Sequence, residues 1–86
     1  MARFKNLVFV SHPSMPDKAI MAKYRFDNGK EISIVAGQGL YSHSRDGLRQ
    51  AVTDVADVAS FEVMYEGEVE GWLTKEDIDK IFEEND

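Results

Sequence analysis

The 86-residue chain contains no cysteine. That excludes a disulfide framework, a thiolate metal site and a cysteine nucleophile, and it fits a reducing compartment. Long apolar runs are also missing. Leu7-Val8-Phe9-Val10 is too short for a signal-peptide core or a membrane span, so the chain is expected to be soluble and cytoplasmic, with no membrane partner. Proline occurs twice, both times within Ser11-His12-Pro13-Ser14-Met15-Pro16-Asp17. Proline removes a backbone donor and disfavours helix at the residue before it, so this stretch reads as a loop. The two histidines, His12 and His43, lack metal-ligand spacing, and neither a metal nor a cofactor is expected. Basic residues are scarce towards the C-terminus. From residue 62 to residue 86 there are ten acidic residues against Lys75 and Lys80, a net of −8; the preceding residues carry eight basic and six acidic, a net of +2. An acidic third of this kind argues against a nucleic-acid grip and permits attraction to a basic partner.

What is present is organised around the stretch from Ala19 to Gly37. Ile20, Ala22, Tyr24 and Phe26 alternate with polar or larger neighbours, and Ile32, Ile34 and Ala36 do so after Asp27-Asn28-Gly29. Period-two spacing places each set on one face of a strand. A two-residue Asn28-Gly29 loop would pair Tyr24 with Ser33 and put the two apolar rows on opposite faces. A three-residue loop pairs Tyr24 with Ile32, Ala22 with Ile34 and Ile20 with Ala36. Only that register buries both rows together. It requires a type I turn followed by a left-handed residue, and Gly29 falls at that position.

Phe4 to Val10 reads as a first strand, apolar at successive positions as in a strand covered on both faces. Leu48, Ala51, Val52, Val55 and Ala59 fall at helical intervals and predict a short helix over about 46–57, although Val52, Thr53, Val55 and Val58 are β-branched. Phe61, Val63 and Tyr65 alternate in a strand, and Gly67 to Gly71 reads as a turn. Thr74 is a helix cap with Asp77 three residues on. Leu73 and Ile78 form a hydrophobic staple, and Ile78, Ile81 and Phe82 an apolar stripe, so a helix is predicted over 75–84. The expected fold is α+β, one small domain over 1–86. It would hold an antiparallel sheet of about four strands, with the C-terminal helix and the shorter helix packed on one face.

Reactive side chains are densest at Tyr41-Ser42-His43-Ser44-Arg45-Asp46. A Ser-His-Asp triad is normally assembled across a fold rather than along one loop, so no catalytic residue is assigned and the chain is not expected to be an enzyme. Gly37 and Gly39 lack the third glycine and helix context of a dinucleotide fingerprint. Tyr41, Ser42, Ser44, Arg45 and Arg49, with neighbouring glycine amides, could instead hold a phosphate. Trp72, ahead of the final helix, is either a core residue or an exposed interface anchor.

Three pieces of the chain carry a resemblance. Phe26-Asp27-Asn28-Gly29 leads to Ile32-Ser33-Ile34-Val35. Gly39-Leu40-Tyr41-Ser42 follows. Phe61-Glu62-Val63 then leads to Gly71-Trp72-Leu73-Thr74-Lys75-Glu76-Asp77. This order is similar to a group of small uncharacterised bacteriophage proteins, over about half of the chain, with residues 43–60 as an insertion. The group is defined by turn, strand and cap residues. The resemblance therefore implies a source and a fold, and the cytoplasm of an infected cell as the location. The expectation is a non-enzymatic phage accessory protein that binds and inhibits a host transcription, replication or anti-phage defence factor. Glu76, Asp79, Glu83 and Trp72 would face that partner. The alternative is a binder that sequesters a nucleotide-like small molecule through the 37–49 loop. Association into a homodimer stays open.

Overall fold

The computed structural model describes residues 3–44, 47 and 51–85. Among these residues the chain is an α+β fold with six strands and one α-helix. The strands are β1 (Val10–His12), β2 (Met15–Arg25), β3 (Glu31–Gly37), β4 (His43–Ser44), β5 (Val58–Tyr65) and β6 (Glu68–Leu73), and the helix is α1 (Lys75–Glu84). Every pairing is antiparallel, in the order β1-β2-β3-β5-β4, with β6 also paired to β5.

The β2–β3 hairpin has the register that its apolar rows demand: Tyr24 lies across from Ile32, Ala22 from Ile34 and Ile20 from Ala36. The loop closes through Phe26 N–H to Lys30 O at 2.8 Å and Gly29 N–H to Phe26 O at 3.0 Å. Gly29 sits at φ +89°, the left-handed position of a three-residue loop. Asn28 Oδ1 accepts the Lys30 N–H at 2.9 Å, so the turn residue also satisfies a backbone donor.

The core is built on one face of this sheet. Ile20, Phe26, Ile32, Ile34, Phe61 and Val63 are buried there, and α1 covers them with Ile78 and Phe82. The Phe82 ring lies 5.2 Å from those of Tyr24 and Phe26. Thr74 caps α1 as its sequence requires. Its hydroxyl accepts the Asp77 N–H at 3.2 Å, while Asp77 Oδ2 accepts the Thr74 N–H at 2.9 Å. The far end is tied to the sheet by Asn85, which meets Tyr65 on β5 and Asn28 in the hairpin loop. The radius of gyration is 12.1 Å, the size expected of ~12 Å for this length.

Four expectations are corrected. The sheet has six strands rather than about four, because β4 and β6 occupy stretches read as a loop and a turn. Phe4–Asn6 is a 3₁₀ turn and not the start of a strand; β1 begins at Val10 and runs on to His12. Val10 pairs with Met21 and Ser11 with Ile20; Pro13 lies in the β1–β2 turn and Pro16 near the start of β2, and neither prevents the pairing. β6 replaces the supposed 67–71 turn, which contracts to Glu66-Gly67, both at positive φ (52° and 81°). That is a two-residue type I′ hairpin, the geometry that matches strand twist. Finally, there is no second α-helix among the described residues. The predicted 46–57 helix begins on positions outside the described residues, 51–54 are non-helical, and only Val55–Asp57 forms a 3₁₀ turn, capped by Asp54 Oδ1 to the Ala56 N–H at 2.9 Å. Its β-branched residues go elsewhere: Val52 is buried in the core and Val58 opens β5.

Candidate functional site

β6 pairs with β5 evenly from Glu68 to Glu70, and then the register shifts: Val63 faces Glu70, but Phe61 faces Leu73. Gly71 and Trp72 together oppose Glu62, two residues against one, which is a β-bulge. Trp72 lies at φ +62°, a region a bulky side chain enters at a cost of about 1–3 kcal/mol. It is nonetheless 44% exposed, so burial of the indole does not explain the strain.

The surroundings hold it. Trp72 N–H donates to Tyr41 O at 2.9 Å. Gly71 runs so close to Tyr41 that a Cβ at this position would collide with the tyrosine side chain. The His43 ring stacks on the indole, centroids 4.5 Å apart and planes 29° apart, and the Tyr41 ring stands 5.8 Å from it at 54°. His43 is in turn oriented by Ser60 on β5, whose Oγ accepts the His43 N–H at 3.0 Å and lies 3.2 Å from Nδ1. Tyr41 N–H donates to Glu62 Oε1 at 3.3 Å. The result is a surface cluster of Tyr41, His43 and Trp72 whose rings are fixed from beneath. Ser60 is buried, and its Oγ accepts the His43 backbone N–H while facing the ring Nδ1, so it fixes both ends of the histidine.

The residues expected to hold a phosphate separate into different roles. Ser42 is buried, and its Oγ accepts the Gly37 N–H at 3.0 Å and reaches Gly37 O at 3.3 Å, closing the 37–42 loop on itself. Ser44 is buried on β4. Tyr41 belongs to the aromatic cluster, and Arg45 and Arg49 lie outside the described residues. Of the acidic residues expected to face a partner, Glu76 and Glu83 are exposed on α1, whereas Asp79 accepts the Phe4 N–H at 2.6 Å and anchors the N-terminal segment. The Lys75 ammonium lies 5.7 Å over the same Phe4 ring. Asp77 carries a carboxyl held below its ordinary value, first by the Thr74 N–H and then by the Thr74 hydroxyl.

Sequence reading had no route to the His43–Trp72 stack or to Ser60 beneath it, because the three residues lie on three strands. The one usable signal was the glycine before Trp72, which marks a close backbone approach.

No family model matches the chain, and no curated protein or solved structure matches it either.

Proposed function

We propose that the chain works by binding another protein, without catalysis, through the Tyr41–His43–Trp72 cluster. In keeping with its resemblance to small bacteriophage proteins, the partner is a host protein that it inhibits. The observation behind this reading is the strained, exposed Trp72. Backbone strain persists only where surrounding contacts over-determine it, and it concentrates at sites of function. A bulge re-aims a side chain, and here it presents an indole at the surface, stacked on the His43 ring and flanked by Tyr41. Tryptophan and tyrosine dominate the energetics of protein interfaces, and a rigid ring loses little entropy on binding. Glu76 and Glu83 add steering charge on α1, while Asp79 keeps its structural bond to Phe4.

The test is affinity capture from bacterial lysate with the parent protein, Trp72→Ala, and Glu76→Lys with Glu83→Lys, each shown folded by circular dichroism. A protein retained by the parent should be lost with Trp72→Ala. The charge reversal should slow association more than it speeds dissociation, and added salt should do the same, because exposed charge is screened over ~8–10 Å. Equal retention by the parent and Trp72→Ala would overturn the reading.

A further inference from the structure

We infer that the outer edge of β2, from Lys23 to Arg25, is a docking site for an extended segment of another protein. That segment carries acidic residues at alternate positions and pairs antiparallel with β2. β3 covers the inner edge of β2 throughout this stretch. Along the outer edge, β1 pairs only as far as Val10 with Met21. The residues before Val10 do not continue the ladder, because they are held elsewhere. The rings of Phe4 and Phe9 lie 5.1 and 5.7 Å from that of Phe61, and the Phe4 N–H is bound by Asp79 of α1. The N-terminal segment therefore leaves the sheet at Phe9 and crosses on the core side.

The ladder fixes which backbone groups this leaves open. Phe26 N–H donates to Lys30 O. Tyr24 and Ala22, at even steps from Phe26, therefore exchange their hydrogen bonds with Ile32 and Ile34 across from them. Lys23 and Arg25 fall between, and their N–H and C=O groups point away from β3. Among the described residues no backbone or side-chain group meets them. An added strand would satisfy the donor and acceptor of each residue together, which is how a peptide extends a sheet at its edge.

The side chains select the occupant. Lys23 and Arg25 are exposed and share the sheet face opposite the core. Neither makes an ion pair with a described residue; Glu31 faces Arg25 across the hairpin without forming one. The residues of an added strand that lie directly opposite these two share their face, where carboxylates are favoured. The residue between them falls on the side of half-buried Tyr24 and is apolar. A second copy of the chain is a poorer match. Antiparallel pairing of this stretch with itself sets Lys23 against Arg25, like charge on like. Charged residues can also simply guard an edge against pairing, and the experiment below separates guarding from docking. The inference is independent of the Trp72 reading, since it uses other residues and another edge of the sheet.

Amide hydrogen exchange of the full chain, followed by NMR with synthetic peptides, tests it. In the free protein the Lys23 and Arg25 amides should exchange quickly and those of Ala22 and Tyr24 slowly. A blocked peptide of alternating Glu and Val should bind saturably and slow the Lys23 and Arg25 amides by about tenfold or more. The chain carries a net charge of −6, so general attraction does not favour that peptide. The same peptide, methylated on the backbone nitrogens that would face β2, should not bind. A peptide with Lys in place of Glu should bind about tenfold more weakly. Lys23→Glu with Arg25→Glu, shown folded by circular dichroism, should reverse that preference. Lys23 and Arg25 amides already as protected as that of Ala22 in the free chain would overturn the inference. So would a Glu–Val peptide that fails to bind at millimolar concentration, or binds without protecting these amides, or binds equally well when methylated. A parent that dimerises and protects the same amides without peptide would assign the edge to a second copy and overturn it too.

Discussion

Single residues in this fold carry conformational demands that their neighbours decide. Gly29 could be read in advance because two apolar rows had to coincide, and only one loop length allows it. Glu66 could not. It occupies the first central position of a type I′ turn at φ +52°, where asparagine or glycine is favoured and glutamate gives no turn signal. What it offers instead is an ion pair, Lys30 Nζ to Glu66 Oε1 at 3.1 Å, with both side chains about half exposed. Pairs so exposed are screened and contribute little. Glu66→Asn should therefore stabilise the protein, by about 0.5–1 kcal/mol, because the relieved backbone outweighs the lost pair. The urea midpoint at neutral pH measures this, and a decrease would mean that the ion pair holds the turn.

Among the elements, α1 was legible down to its cap because everything that starts it lies within the six consecutive residues from Leu73 to Ile78. Thr74, Asp77 and the Leu73–Ile78 staple act locally, and burial of Ile78 and Phe82 agrees with them. β5 was legible by its alternation. β6 was not, since its chain carries Glu68, Glu70 and Gly71 and shows little apolar alternation; pairing with β5 makes it a strand. Within the described part of the predicted 46–57 helix, residues 51–54 are non-helical for the converse reason: the helical spacing was present, but the β-branched Val52 is buried outside any helix and Val58 in β5. Of the candidate surface, the sequence singled out Trp72 as a candidate interface anchor and Tyr41 only as a phosphate-loop residue, and it held no sign of the ring that stacks on the indole. At the helix start, Thr74→Ala should cost ~1 kcal/mol, read from the urea midpoint. The same cap predicts a pH dependence. Asp77 has its carboxyl held below the ordinary 3.8 by the Thr74 N–H and hydroxyl. A carboxyl depressed in the folded state binds protons less readily than in the unfolded chain. Its contribution is thus full above 3.8 and is lost as pH falls through the lowered value. Stability measured down that acid limb should fall less steeply in Asp77→Asn than in the parent. Identical slopes would show that the Thr74–Asp77 box does not distinguish the two protonation states.

At the scale of the whole molecule, the described residues build their core on the sheet face that α1 covers, and this concentrates stability there. Phe82 and Ile78 come from α1, the hairpin supplies Tyr24 and Phe26, and Phe61 links the same layer to Phe4 and Phe9, whose rings lie 5.1 and 5.7 Å from its own. Asp79 binds the Phe4 N–H on the helix side, so the N-terminal segment, α1 and β5 share one set of contacts. A chain of 86 residues has a total stability of roughly 4–13 kcal/mol. Truncating a buried phenylalanine costs about 3–5 kcal/mol. Phe82→Ala should therefore remove a large share of the total and shift the whole transition, whereas Met64→Ala on the open face should change it by no more than about 0.5 kcal/mol. The chain has a single tryptophan, Trp72, far in sequence from neither β5 nor α1 yet reporting on the β4–β6 junction, so its fluorescence can be followed beside the far-ultraviolet dichroism of the backbone. In the parent and in Phe82→Ala the two signals should unfold together, at a much lower urea concentration in the variant. If Phe82→Ala loses helical signal while the Trp72 transition stays in place, α1 is a detachable cover and the single-layer sheet stands without it.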